Sequence, residues 1–233
     1  MKPLRVLLFD VFGTLVDWRT SLIGLAEAMA NRTGVQADWA AIVDDWRRAY
    51  QPAMDRVRHG AAWRDLDSLQ RETLSEVLAG RNMRLSAEDH EWLVQGWRQL
   101  RPWPDSRVGL DRLRAKHITA TLSNGHLALL ADLLKFSDLR VDAVLSAQLA
   151  DSYKPDPKVY RTALRLLDCP PEEAGMVAAH PSDLRAAAAL GLRPLFVRRP
   201  LEWGPGVPPA DPPDLDGLLD ADGLDQLATA LGC

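Results

Sequence analysis

Asp10 follows the apolar run Arg5-Val6-Leu7-Leu8-Phe9 and precedes Val11-Phe12-Gly13-Thr14, so one carboxylate is delivered to the end of a short hydrophobic segment. A carboxylate so placed can act as a covalent nucleophile, forming an ester that water later cleaves. Gly13 permits a tight turn, and the Thr14 hydroxyl can hold one carboxylate oxygen by a hydrogen bond. A strand-terminal Asp also serves in turns and caps, so Asp10 needs partners before it implies chemistry.

Three further loops contain reactive side chains. In Thr121-Leu122-Ser123-Asn124-Gly125, Ser123 and Asn124 can donate to an anion beside the open N–H groups of a following helix. The same two residue types are ordinary helix caps. In Tyr153-Lys154-Pro155-Asp156-Pro157, Asp156 caps a helix that Pro157 opens, which leaves Lys154 on the loop before it, able to neutralise crowded carboxylates. Tyr160, one turn into that helix, can bring its hydroxyl to the same space or simply pack. In Ala178-Ala179-His180-Pro181-Ser182-Asp183, Asp183 can pair with Lys154, orient water or cap the helix that ends near Gly191. His180 has no Cys or second His at ligand spacing, so it reads as a supporting or packing residue and not a metal ligand.

These loops make sense only at the ends of strands. Short apolar runs recur at 118–122, 142–145, 175–179 and 194–197, with helical stretches between them, and that alternation predicts βαβ units and a parallel sheet. The run ending at Asp10 joins as a first strand, covered on both faces. From about Trp18 to Gln99 the periodicity is helical, with segments near 20–33, 37–57, 66–80 and 87–99. The predicted fold is therefore α/β, a Rossmann-like core of residues 1–17 and 100–233 interrupted by an α-helical cap at 18–99. A Pro- and Gly-rich loop at 204–213 precedes a last helix at 223–231.

With 233 residues, of which 47% are hydrophobic, the chain can bury a full core plus an inserted layer. A formal net charge of −4 with scattered Lys and Arg argues against nucleic-acid or anionic-membrane partners, while a few local cations still suit a small anionic substrate. Cys169 and Cys233 support neither a disulfide framework nor a clustered metal site, which fits a reducing cytoplasm. Lys2 and Arg5 beside an apolar stretch weakly imitate a signal peptide, but Asp10 interrupts it and no small-residue cleavage site follows. No run approaches the roughly 18 apolar residues of a membrane span.

Asp10 with Gly13-Thr14, Ser123-Asn124-Gly125, Lys154-Pro155 and Asp183, in this order, resembles the four motifs of the haloacid dehalogenase superfamily across the whole chain. Phosphatases of that superfamily usually carry a second Asp where this chain has Phe12, to protonate a leaving alkoxide and help place magnesium. A halide leaves without a proton, so the site needs no general acid there. Trp46-Arg47-Arg48, Pro102-Trp103-Pro104-Asp105 and Arg199-Pro200-Leu201-Glu202-Trp203-Gly204 are similar to the type II 2-haloacid dehalogenases.

The resemblance implies hydrolytic dehalogenation of short 2-haloalkanoic acids to 2-hydroxy acids, without metal or cofactor, and suggests a homodimer. Asp10 would attack the substrate's C2 with inversion, and water would then hydrolyse the ester at the Asp10 carboxyl carbon. Lys154, Thr14 and Asp183 would complete the catalytic set. Arg47 and Asn124 would face the halide, and Val11, Phe12, Ser123, Tyr160, His180 and Trp46 would line the substrate. The family's usual fourth loop carries Ser and Asn where this chain has Ala178 and His180. From that departure we expect a tighter halide cradle of His180, Trp46 and Arg47 that extends the activity to fluoroacetate. A phosphohydrolase of the same fold and a non-catalytic relative are the alternatives.

Overall fold

The computed structural model describes residues 2–233. The first apolar run forms β1 (Val6–Phe9), buried at every residue. A tight turn, with the Leu15 N–H bonded to the Val11 carbonyl at 2.9 Å, leads to the two-residue strand β2 (Val16–Asp17). Four helices follow: α1 (Trp18–Thr33), α2 (Trp39–Arg58), α3 (Leu66–Gly80) and α4 (Ala87–Gln95). Each begins where the sequence offers a short oxygen-bearing side chain. Asp17, Asp38, Asp65 and Ser86 accept N–H groups of the respective first turns, satisfying donors that no helical carbonyl can reach.

A single 3-10 turn at Gly96–Arg98 ends the helical stretch, and β3 (Arg101–Pro102) then pairs antiparallel with β2. Neither two-residue segment carries a strand pattern, so this small ribbon was invisible to periodicity. The chain continues through α5 (Ser106–Arg114), β4 (Ile118–Ser123), α6 (Leu127–Ser137), β5 (Ala143–Ser146), α7 (Pro157–Leu166), β6 (Ala174–Ala178), α8 (Pro181–Ala188), β7 (Arg193–Val197), β8 (Leu219–Ala221) and α9 (Leu224–Ala230). Strand β8 was also unforeseen, being a three-residue edge with one buried side chain.

The main sheet has six strands in the order β5-β4-β1-β6-β7-β8, and all its pairings are parallel. Phe9, the last residue of β1, lies beside Thr121 of β4 and Val177 of β6. The strand order reverses at β1, and the carboxyl ends around such a switch point form a crevice. Asp10, Ser123-Asn124 and the His180 loop therefore converge there, although more than 100 residues separate the first from the second in sequence.

Helices and sheet share one continuous apolar core. Its aromatic centre is Trp97, whose ring meets Phe12 edge-on at 5.6 Å and Trp46 edge-on at 5.5 Å, and stacks on Trp18 and Tyr50 at 6.4 Å each. Of the tryptophans from Trp39 to Trp97, Trp39, Trp46 and Trp97 are buried, and Trp63 packs on Tyr153 at 4.7 Å. Trp92 is exposed, with the Arg32 guanidinium over its ring. Among the described residues no helix is long and apolar enough to cross a membrane, and Cys169 and Cys233 are unpaired.

Candidate active site

Asp10 is 6% exposed and accepts three side-chain hydrogen bonds. Lys154 Nζ donates to its Oδ1 at 2.9 Å, while Oδ2 receives Thr14 Oγ1 at 2.8 Å and His180 Nδ1 at 3.0 Å. The Thr14 hydroxyl is aimed by the Ala179 backbone N–H, which donates to Oγ1 at 3.0 Å. Lys154 Nζ also reaches Asp183 Oδ2 at 2.5 Å, and Asp183 Oδ1 accepts the Tyr160 hydroxyl. One ammonium thus bridges two buried carboxylates.

His180 extends this chain of charges to Glu202, to which the Arg199–Gly204 stretch of the sequence assigned no role. Its Nε2 lies 3.0 Å from Glu202 Oε1, which also accepts the Trp18 indole N–H at 3.1 Å. Both ring nitrogens face carboxylate oxygens, and only the doubly protonated imidazolium satisfies both contacts. Burial opposes the charge on His180, but Glu202, together with Asp10, outweighs it and holds the imidazolium up to about 10. Burial alone would raise Asp10, yet Lys154 and His180 keep its carboxyl far below the usual range. Burial raises Asp183, and the charge of Asp10 adds to this against the pull of Lys154. Lys154 is disfavoured by burial but is held above its ordinary value by the two aspartates. Glu202, which burial would raise, is held low by His180.

Gly13 explains how Glu202 comes so close. It has a φ of +87°, and a Cβ there would lie 2.2 Å from Glu202 Oε1. Gly13→Ala is therefore expected to displace Glu202 and to cost ~1–3 kcal/mol in stability from the strained backbone, measured by urea unfolding.

Above Asp10 lies a cavity of about 340 Å³ whose lining includes Phe12, Arg47, Tyr50, Asn124 and Trp203. The Arg47 guanidinium sits 4.5 Å from the Tyr50 ring centroid and 5.4 Å from that of Trp18, and its Nε is buried without a partner. Asn124 Oδ1 accepts the Lys154 backbone N–H at 2.7 Å, which leaves its amide nitrogen to donate on the side of Tyr50. Asp10, Lys154, Asp183, His180, Arg47, Asn124 and Phe12 all border this space.

Other expected substrate contacts are placed elsewhere. Trp46 does not line the cavity, because its indole N–H donates to the Gln70 carbonyl at 2.9 Å and its ring is buried against Trp97. Val11 and Ser123 are fully buried, with Ser123 Oγ accepting the Gly125 N–H at 3.2 Å. Tyr160 lies behind Asp183 and does not border the cavity. The expected cradle of His180, Trp46 and Arg47 is therefore not assembled, since the polar hydrogens of the first two are committed elsewhere. Conversely, Tyr50 and Gln51 border the cavity without having been singled out, as does Arg48, to which the sequence assigned no role. Tyr50 and Gln51 lie within one turn of Arg47 on α2, a periodicity that could have found them.

Residues 4–191 match the haloacid dehalogenase-like hydrolase family. The chain belongs to this family. The hydrolase is 31% identical over 204 residues to the (S)-2-haloacid dehalogenase 4A of Burkholderia cepacia, covering 85% of each chain. An L-2-haloacid dehalogenase of known crystal structure is 44% identical, with a TM-score of 0.92 over 98% of this hydrolase and 99% of that chain. A defluorinating L-2-haloacid dehalogenase is 36% identical, with a TM-score of 0.94 over 99% of this hydrolase and 96% of that chain.

Proposed function

We propose that this hydrolase converts short 2-haloalkanoic acids to 2-hydroxy acids through an ester on Asp10. The observation that carries the proposal is the Lys154 ammonium bridging Asp10 and Asp183 beneath a cavity bordered by Arg47 and Asn124. Phe12 supports it, because no second acid stands where a phosphate ester's leaving alkoxide would need a proton. The 44% and 36% identities to L-2-haloacid dehalogenases support the same substrate class.

Asp10 Oδ2 already accepts two hydrogen bonds, whereas Oδ1 accepts one and keeps a lone pair free. Attack on C2 through Oδ1 forms the C2–O bond as the carbon–halogen bond breaks, with the halide leaving toward Arg47 and Asn124. In the second stage, with Asp10 neutral as its ester, Asp183, raised by burial, takes a proton from water as its oxygen adds to the Asp10 carboxyl carbon. Collapse breaks the bond from that carbon to Oδ1, and Lys154 protonates the departing alkoxide. Asp183 then returns its proton to Lys154, and the hydroxyl proton that water left on the Asp10 carboxyl passes to solvent, so one proton accompanies each halide and the nucleophile is ionised again.

Arg47 comes from α2 and Asp10 from the end of β1, so we treat 18–99 as a cap closing over a core of 1–17 and 100–233. Inversion at C2 predicts that (S)-2-chloropropionate yields (R)-lactate. Chiral chromatography of both enantiomers checks this, and equal consumption of the two would contradict it. Fluoride release belongs to the same proposal, supported by the defluorinating relative and resting on Arg47 and Asn124. Fluoroacetate should release fluoride well above an Asp10→Asn control, and a rate equal to that control would remove fluoride from the substrate range. Magnesium-dependent, chelator-sensitive release of phosphate from esters would instead favour a phosphohydrolase. A cytoplasmic homodimer completes the proposal, and sedimentation showing only monomer would remove the dimer.

A further inference from the structure

We propose that His180 is a catalytic residue of the ester-hydrolysis stage, completing with Thr14 an oxyanion hole around Asp10 Oδ2, and that Glu202 is the residue that positions it. The inference rests on the covalent route through Asp10 and goes beyond it by separating the two stages.

The two donors on Oδ2 are His180 Nδ1 at 3.0 Å and Thr14 Oγ1 at 2.8 Å. In the resting enzyme they face a carboxylate oxygen. After attack through Oδ1 the same atom becomes the ester carbonyl oxygen, and when water adds to the carboxyl carbon the carbonyl electron pair moves onto Oδ2. Preorganised donors at the atom that gains negative charge stabilise that state more than the ester before it. In the first stage the same donors draw charge from the nucleophile, so they give attack on C2 no comparable help. His180 keeps both of its protons throughout. It acts as a fixed cation, while Asp183 and Lys154 carry the proton transfers.

Glu202 fixes this arrangement from the far side of the ring. Its Oε1 binds Nε2 at 3.0 Å and is held in turn by Trp18 Nε1 at 3.1 Å, and Gly13 leaves the space that this requires. The charged groups around the imidazolium are Asp10 and Glu202 in contact, with Lys154 and Asp183 reached through Asp10. Arg47 and Arg48 border the substrate cavity beside it, and Arg48 and Arg199 border a second cavity of about 450 Å³ that also touches His180 and Glu202. Space on both sides of the ring leaves room for exogenous imidazole when the side chain is removed.

The test is rapid-quench kinetics with 2-chloropropionate, following halide and the mass of the Asp10 peptide together. His180→Ala should release one halide per enzyme at a rate within about tenfold of wild type. It should then accumulate the Asp10 ester, with steady-state turnover lowered ~100-fold or more and partly restored by added imidazole. Glu202→Gln retains His180 and guards against a folding defect. Its halide burst should be unchanged, while the alkaline limb of its steady-state profile moves at least one pH unit toward neutrality, because Glu202 is the carboxylate that still faces the imidazolium once Asp10 is esterified. A burst and turnover that fall together in His180→Ala without ester accumulation would overturn the proposal, as would a Glu202→Gln profile that superimposes on wild type. If the wild-type enzyme itself forms no ester, the covalent route fails. An ester that forms and clears equally fast with and without His180 refutes the oxyanion role alone.

Discussion

Asp10→Asn is expected to lower halide release by roughly 10³-fold or more, the loss seen when a covalent nucleophile is removed from a cooperating set. The carboxamide fills the same volume but presents a neutral oxygen and an N–H₂ group where the site presents cations. Lys154 Nζ at 2.9 Å and His180 Nδ1 at 3.0 Å are built around an acceptor with full negative charge. The variant should fold, because the carboxamide keeps the side chain's volume while Lys154 retains Asp183 and His180 retains Glu202 as partners, and circular dichroism with thermal unfolding separates lost chemistry from lost structure. Retention of more than a tenth of wild-type halide release in a folded variant would mean that Asp10 is not the attacking group.

Lys154→Met is expected to produce the largest loss of stability among the site residues. Lys154, Asp10 and Asp183 are each 6% exposed or less, and removing the ammonium leaves two largely buried carboxylates without the cation between them. Breaking a buried ion pair on one side costs about 3–5 kcal/mol, and here one cation serves two anions. The sign of the pH response follows from Asp183. Burial and Asp10 already raise its carboxyl, and without Lys154 the shift grows, so that below its folded pKa the group is neutral and the repulsion disappears. The stability gap between wild type and variant should therefore narrow as pH falls from 8 toward 5. Urea unfolding at several pH values reads this directly, and a gap that widens on acidification would contradict it.

His180 gives the complementary response on the alkaline side. Its folded value of about 10 lies above the ordinary 6.5, so its contribution to stability is complete below that ordinary value and is lost as pH rises through about 10. Because both of its partners are buried carboxylates, the decline should be steeper in wild type than in a variant lacking the imidazole.

How much of this was legible in the chain depended on how locally each feature is encoded. The sheet was legible because β1, β4, β5, β6 and β7 are short apolar runs, and a buried parallel strand needs little else. The helices of 18–99 were legible because Asp17, Asp38, Asp65 and Ser86 stand where their caps are required. The ribbon of Val16–Asp17 with Arg101–Pro102 was not, since two residues cannot show a period. Asp10, Lys154 and Asp183 could be named because each sits on a loop just after an apolar run, where a parallel sheet gathers its reactive groups.

Glu202 could not be placed in that way. It lies 3.0 Å from His180 on the loop after the 194–197 run, but its contact depends on the absent side chain of Gly13 some 190 residues earlier, which nothing in that loop encodes. The misplacement of Trp46 has a similar origin. Helical spacing puts it beside Arg47, but adjacent residues on a helix point about 100° apart, so Arg47 faces the cavity while Trp46 turns into the aromatic packing around Trp97. The role expected of His180 changed for a comparable reason, since a residue that reads as a halide donor in sequence is held between two carboxylates in space.

In the proposed route Asp10 forms and then loses an ester at its own carboxyl carbon. Multiple turnovers of (S)-2-chloropropionate in water enriched in oxygen-18, followed by mass spectrometry of the peptide containing Asp10, test it directly. The route described here predicts heavy oxygen in the Asp10 carboxylate, with the first product of each enzyme molecule carrying ordinary oxygen taken from Asp10. An unlabelled Asp10 after many turnovers, with heavy oxygen in the first lactate formed, would mean that water attacks C2 directly and that no ester forms on Asp10.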